Sequence, residues 1–536
     1  MKLRLPFLCV VIFVSVIAVS KVRAQGQQTT PATPTIKVTS ALVFLDVTVL
    51  DKKGNPVVTG LTKDDFTITE DKIPQTIFSF EAPEVHVMAA GSEAENPNGN
   101  SPKTILVMDL LNSSFEDFAY IRYEAEQFLK SQPSQLASST EVLVVDNDSL
   151  EMLQSFTRSR AELLDALKHA PVAVPYKHMH RGSFAWEMFG QSLDALDQIA
   201  LQNKGVPGRK NIVWVGHGAP NVHLDPNLSG EKVVGELKQY VHSTTNTMVD
   251  ARISLFVIYP GLPVSGGVMT PSASQAGIDL GEDDPFAGDI NFGVFTNETG
   301  GKLFYNRNNV DMEIKESEQM GSQYYTLTYQ PQNVEPDGKF RRVRVTLRNP
   351  SLRVVTKAGY YAPDAHAPIN ERQQRMIKLA EAVESTIPFG SLNLSLSGVV
   401  RHPDTRTAEF TVEVKSKNLR FEPAPDGTGI AQLIVAAASL NQYGNILASR
   451  TQTVTLVAHS LDPAQLPEVA SRFPFMLHVQ RKTRRVRVII QAEDGGRLGS
   501  AEIDRKTIDA APETETPRPE LKQRPGTYDN RPPTVQ

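Results

Sequence analysis

Asp109, Asn112, Ser113 and Ser114 are the residues whose types and spacing come nearest to a chemical site. A carboxylate followed closely by an amide and two hydroxyls offers hard oxygen ligands of the kind that suit Mg²⁺ or a similar cation. The same residues would also serve as an ordinary helix cap, with Asp109 closing a strand and Ser113 or Ser114 opening the next helix. A second candidate is His217, held between Gly216 and Gly218. Six histidines fall between His169 and His242, among them His178, His180 and His223. Imidazoles suit Zn²⁺, Cu²⁺ or Ni²⁺, so an Asp109–His217 transition-metal site competes with the plainer reading of scattered surface histidines. Glu282, Asp283, Asp284 and Asp289 could bind Ca²⁺, but they lack EF-hand spacing and read as a solvated acidic loop.

The elements that must position these residues follow from periodicity. Ile105 to Met108 is a short apolar run ending at Asp109, which fits a central parallel strand covered on both faces. Ligands in open α/β sheets gather at the carboxyl ends of such strands. Phe118, Ile121, Ala125, Phe128 and Leu129 mark one face of the helix that follows. Glu141 to Asp146 and Leu150 to Phe156 read as strands, Arg158 to His169 as a helix, and Phe189, Leu193, Leu196 and Ala200 as the stripe of another. Buried strands recur at Ile212 to Val215 and Leu255 to Tyr259, with a helix from Glu231 to Asp250 between them; Lys302 to Tyr305 and Met312 to Met320 complete the series. Strands spaced by helices imply crossovers and a largely parallel, doubly wound sheet.

On either side the pattern is of strands alone. Val38 to Leu50, Phe66 to Glu70 and Thr76 to Phe80 form a small β unit, and Tyr324 to Tyr329, Arg341 to Leu347 and Leu352 to Val355 form another. Neither has enough strands for a core of its own, so the two are expected to pair, with the α/β segment inserted between them. The expected division is 1–24 signal peptide, 36–84 β unit, 85–103 linker, 104–323 α/β domain, 324–363 returning strands, 368–386 connector helix, 390–508 carboxyl-terminal β-sandwich and 510–536 disordered tail.

Lys2 and Arg4, an apolar run from Leu5 to about Val19, and Val22-Arg23-Ala24 before Gln25 have the three parts of a secretory signal peptide. The run is shorter than the ~20 residues of a bilayer span, so cleavage is expected and the protein is read as secreted or periplasmic, without a membrane span in the mature chain. The single cysteine, Cys9, lies within that run. A length of 536 residues calls for several domains, and a net charge of −5 argues against nucleic acid as a partner. The chain holds no P-loop, no Gly-x-Ser-x-Gly elbow and no His-Glu-x-x-His, and Gly216-His217-Gly218 lacks the third glycine of a dinucleotide fingerprint. Arg341-Arg342-x-Arg344 and Arg484-Arg485-x-Arg487 alternate with valines and read as exposed strand faces.

Three passages carry a resemblance: Leu61-Thr62-Lys63-Asp64-Asp65-Phe66 with Glu70-Asp71; Asp109-Leu110-Leu111-Asn112-Ser113; and Pro207-Gly208-Arg209-Lys210-Asn211-Ile212-Val213-Trp214-Val215. Together they resemble the secreted von Willebrand factor type A (VWA) related proteins of the acidobacterial kind, over 38–363. The resemblance implies an α/β Rossmann-like VWA domain flanked by β-structure, with a metal-ion-dependent adhesion site on its top face. Asp109 then matches the first position of the family's Asp-x-Ser-x-Ser and Ser113 the last, while Leu111 stands at the middle serine. Ser192, with Ser183 as an alternative, stands for the threonine, and His217 falls where a later aspartate belongs. The site is therefore degenerate. The metal set it implies is Asp109, Ser113 and Ser192, for Mg²⁺ or another divalent cation. The function read from this is a non-enzymatic interaction protein that binds a protein or matrix partner through Asp109, Asn112, Ser113 and His217. The alternatives are a metal-dependent hydrolase using Asp109 and His217, or a structural envelope scaffold.

Overall fold

The computed structural model describes residues 42–86, 100–146, 150–171, 184–220, 222–223, 231–260, 284–286, 289–307, 309–365, 371–416, 418–462, 465–493 and 496–514. The signal peptide and lead-in, residues 87–99 of the linker, His178, His180, Ser183, Glu282, Asp283 and the tail beyond 514 lie outside them.

Alternation along the apolar strands builds the central layer. Six strands lie in the order Lys302–Arg307, Ile253–Pro260, Lys210–Val215, Lys103–Asp109, Gln135–Val145, Leu150–Ser159. All neighbours run parallel except the last pair, in which Leu150–Ser159 is antiparallel to its neighbour. Successive side chains on a strand face opposite ways. Ile105, Val107, Ile212, Trp214, Leu255 and Val257 thus enter one core with Leu193 and Leu196 of the helix Phe184–Asn203. Leu106, Met108, Val213, Val215, Phe256 and Ile258 enter another with Phe118, Ile121 and Phe128 of the helix Phe115–Ser131. The sheet is mixed and covered on both faces, an α/β arrangement. From Lys103–Asp109 the chain moves to one side, then returns to Lys210–Val215 on the other. The carboxyl ends of these two adjacent strands therefore flank a topological switch point.

Antiparallel sheets make up the rest. Val43–Leu50 lies between Tyr325–Tyr329 and Arg353–Val355, and Phe340–Leu347 lies between Phe66–Glu70 and Gly359–Tyr361. Strands from before and after the α/β segment thus interleave in two sheets, which share a core of Leu45, Val47, Ile68, Leu327 and Val345. Within it Glu70 is buried and accepts from the Tyr329 hydroxyl at 2.5 Å and the Tyr360 hydroxyl at 3.0 Å. Farther along, Leu394–His402, Thr407–Lys415 and Val469–His478 form one antiparallel sheet. Gly429–Leu440, with Ile446–Ala458, Arg485–Ala492 and Leu498–Asp504, builds the facing sheet across a core that includes Phe410, Val435, Phe475 and Val488. The helix Glu371–Glu384 covers that sheet's other face through Leu379 and Val383, which meet Leu201, Ile434 and Ile489.

Polar side chains tie the interleaved sheets to the amino ends of the α/β strands. Arg209 is fully buried, and its guanidinium donates to Ser254 Oγ at 3.0 Å, Thr48 Oγ1 at 3.0 Å and the Gly300 carbonyl at 3.3 Å. Beside it Arg252 pairs with Asp46 at 2.5 Å. Burial opposes the Asp46 charge, but the Arg252 guanidinium outweighs it and holds the carboxyl below its usual range. Arg209→Ala removes three charged hydrogen bonds from a dry site. It is expected to lower the unfolding free energy by about 3 kcal/mol or more in urea titration, and a loss under about 1 kcal/mol would contradict this role.

Glu141 supplies a pH test of the same framework. It is fully buried, with one oxygen accepting from Gln202 Nε2 at 3.0 Å, and burial pushes its carboxyl up to about 8. Between the unfolded value of 4.5 and about 8, the folded chain keeps a proton that the unfolded chain has released. Stability therefore falls as pH rises through that window and levels off above it. Glu141→Gln removes the titration, so its melting temperature should match the parent near pH 4.5 and exceed it at pH 8. Equal pH profiles for the two proteins would contradict the assignment.

Candidate functional site

Asp109 closes the strand Lys103–Asp109 and is fully buried, so its oxygens must find donors within the protein. Oδ1 accepts from the Asn112 backbone N–H at 2.8 Å and from Asn112 Nδ2 at 3.0 Å. Oδ2 accepts from Trp214 Nε1 at 2.9 Å, the Gly218 backbone N–H at 2.9 Å and Asn112 Nδ2 at 3.1 Å. Burial raises the carboxyl's pKa, and these donors pull it back toward the ionised form. The result is a latch, in which one carboxylate gathers the loop after its own strand and the loop after the neighbouring strand.

The residues around the latch are shaped to it. Gly216 has φ +147°, and a Cβ there would lie 2.3 Å from Asp109 Cβ, so the close approach requires glycine. Gly218 has φ +65° and presents its N–H to the carboxylate. Ser114 caps the helix Phe115–Ser131: its hydroxyl accepts from the Asp117 N–H at 3.1 Å and donates to Asp117 Oδ2 at 2.8 Å. His217 faces Asp117 with Nε2 to Oδ2 at 3.4 Å, and its ring meets Tyr259 edge-on. Both side chains of the pair are mostly covered.

The structure brings together three residues read from the sequence: Asp109, Asn112 and Ser192. Asn112 Nδ2 also donates to Ser192 Oγ at 3.0 Å, and that hydroxyl donates to the Met188 carbonyl at 2.8 Å. Ser113 follows in the same turn with its buried Oγ lacking a hydrogen-bond partner among the described residues. Two expectations need correction. Asp109 has no exposed surface, so it holds the crest and does not itself touch a partner. The imidazole Nε2 of His217 faces Asp117, not Asp109, so the proposed Asp109–His217 ligand pair is not assembled. The other histidines go separate ways. His169 Nδ1 lies 2.8 Å from the Asp165 carbonyl, and His242 stacks on Tyr361 while facing Asp284. Asp284, counted above in an acidic loop, accepts from the Tyr361 hydroxyl at 2.8 Å and the Phe286 N–H at 3.0 Å. Despite its burial, His242 and these donors hold its carboxyl at about 2. Among the described residues no group of three His, Cys, Asp or Glu side chains could hold a metal ion.

Sequence reasoning missed Trp214 and the Gly218 N–H as partners of Asp109. The signal was a buried tryptophan, which needs an acceptor for its indole N–H, on a strand ending beside a buried aspartate, which needs donors.

No family model and no curated protein matches the sequence. Two solved structures are similar in part. The VWA domain of SpRpn10 aligns with a TM-score of 0.19 and 16% identity, over 31% of this chain and 77% of that one. The human COPII-coat protein Sec24c aligns with a TM-score of 0.24 and 9% identity, over 53% of this chain and 45% of that one. At such scores neither likeness carries weight for fold or function.

Asp109→Ala strips the acceptor from two backbone N–H groups, the Trp214 indole and the Asn112 amide. A loss of about 3 kcal/mol or more in unfolding free energy is expected, with Trp emission shifted to the red. Gly216→Ala should cost a comparable amount through its clash with Asp109. Losses within about 1 kcal/mol for both variants would mean that the latch does not hold the crest.

Proposed function

We propose that this chain is a non-enzymatic interaction protein, exported by its amino-terminal segment, that binds a protein or matrix partner through the crest at the carboxyl ends of its central strands. The observation that carries the reading is the latch. Asp109 pins the turns 110–114 and 216–218 side by side at the switch point, which is where α/β sheets collect their ligands. In this reading the contact surface is formed by the exposed parts of the two turns, around Ser114 and the partly exposed His217, with Asp109, Asn112 and Ser113 beneath as holding residues. The VWA resemblance in the three sequence passages supports the same face. Export rests on the sequence pattern of residues 1–24; no described helix is long and apolar enough to cross a membrane.

The hydrolase alternative is less well supported. It needs Asp109 and His217 as ligands to one ion, yet the Asp109 oxygens carry internal donors and His217 is turned to Asp117.

Photo-crosslinking tests the crest directly. With a photoreactive residue placed at 217, or at Glu116, exposed in the first turn of the helix Phe115–Ser131, an extract of the envelope and surrounding medium should yield a discrete protein adduct. The same probe at Glu468, exposed in the carboxyl-terminal sheets, should not. Equal labelling from all three positions, or none from the crest, would favour the scaffold reading instead.

A further inference from the structure

The nitrogen of the Asn112 side chain sits among three oxygens: Asp109 Oδ1 at 3.0 Å, Asp109 Oδ2 at 3.1 Å and Ser192 Oγ at 3.0 Å. The resemblance implies those same two residues, with Ser113, as ligands of a divalent cation. An ionised carboxylate has about four lone-pair sites, and Asp109 already meets Asn112 N–H, the Asn112 amide, Trp214 Nε1 and Gly218 N–H. Mg²⁺ needs close octahedral oxygens and sheds water reluctantly. Here it would have to displace donors from a dry carboxylate and would find neither a second carboxylate nor a hydroxyl at Leu111. The residues present do not fit the ion.

We propose that the Asn112 amide is a built-in substitute for the cation. Its N–H₂ bridges the carboxylate and hydroxyl that a metal would bridge, so the crest is assembled without a metal. This deepens the interaction reading above and rests on it for the crest's role. The orientation of the amide is fixed by its neighbours: Asp109 only accepts, and Ser192 Oγ spends its proton on Met188, so Nδ2 must face both. The carbonyl end is then turned away from both. Asn112 Oδ1 and Ser113 Oγ are buried without hydrogen-bond partners among the described residues, and Asp117 Oδ2 lies on the same crest beside His217.

Thermal unfolding in EDTA, MgCl₂, MnCl₂ or CaCl₂ tests the substitution. The parent should show no saturable shift with any of the three ions. Asn112→Asp puts a second carboxylate beside Asp109. It should melt several degrees lower in EDTA and regain at least about 2 °C with one of the ions. Asn112→Ser, which removes the amide without adding charge, serves if the aspartate variant does not fold, and should also acquire an ion response. A saturable shift in the parent, or none in either variant, overturns the proposal. The adduct from residue 217 should be insensitive to EDTA. Its loss in EDTA, with recovery in Mg²⁺, would overturn the proposal. If no adduct forms, the interaction reading fails, while the thermal arms still decide the role of Asn112.

Discussion

A single buried carboxylate, with no cationic partner among the described residues, organises the upper end of this protein. Burial raises the Asp109 pKa, and four donor groups that converge on the carboxyl counter part of that cost. Those donors come from its own turn, from the adjacent strand and from the glycine turn beyond that strand. Each is constrained in return. Trp214 must lie on the face that Asp109 shares, Gly216 must lack a side chain, and Asn112 must turn its nitrogen inward. Electrostatics in a low-dielectric interior thus converts one charge into a rigid arrangement of two loops.

The opposite end of the sheet is held by the same physics with the sign reversed. Arg209 is a buried cation that gathers acceptors from Thr48, Ser254 and Gly300, and Arg252 pairs with Asp46 nearby. This polar seam joins the α/β layer to sheets whose strands come from both sides of it in the sequence. The latched loops lie at the carboxyl ends of the central strands and the buried arginine at their amino ends.

Much of the framework was legible because burial writes a strong pattern. The runs 105–108, 212–215 and 255–259 are apolar at every position, as strands covered on both faces must be, and all are fully buried. The helical stripe Phe118, Ile121, Ala125, Phe128, Leu129 lies wholly inside. The short helix Phe292–Thr299 was not seen, since a helix of two turns has too few residues to show a period. The strand Leu150–Ser159 was seen, but not that it runs antiparallel at the sheet edge, because periodicity carries no direction. At the crest the limits were chemical. Asp109 and Ser113 were picked out by type and Ser192 through the resemblance, yet neither reveals whether a carboxylate points at solvent, an ion or an indole. Asn112 was noted as one more oxygen donor, whereas its nitrogen is the atom that matters there.

The account stands on the claim that internal donors, and no metal, complete the Asp109 carboxylate. Crystals of the protein grown in millimolar MnCl₂, with diffraction recorded at the manganese absorption edge, address it most directly. The account predicts no anomalous peak at the crest and density for the Asn112 amide between Asp109 and Ser192. A manganese peak within about 2.2 Å of an Asp109 oxygen, with Asn112 turned away, would contradict it.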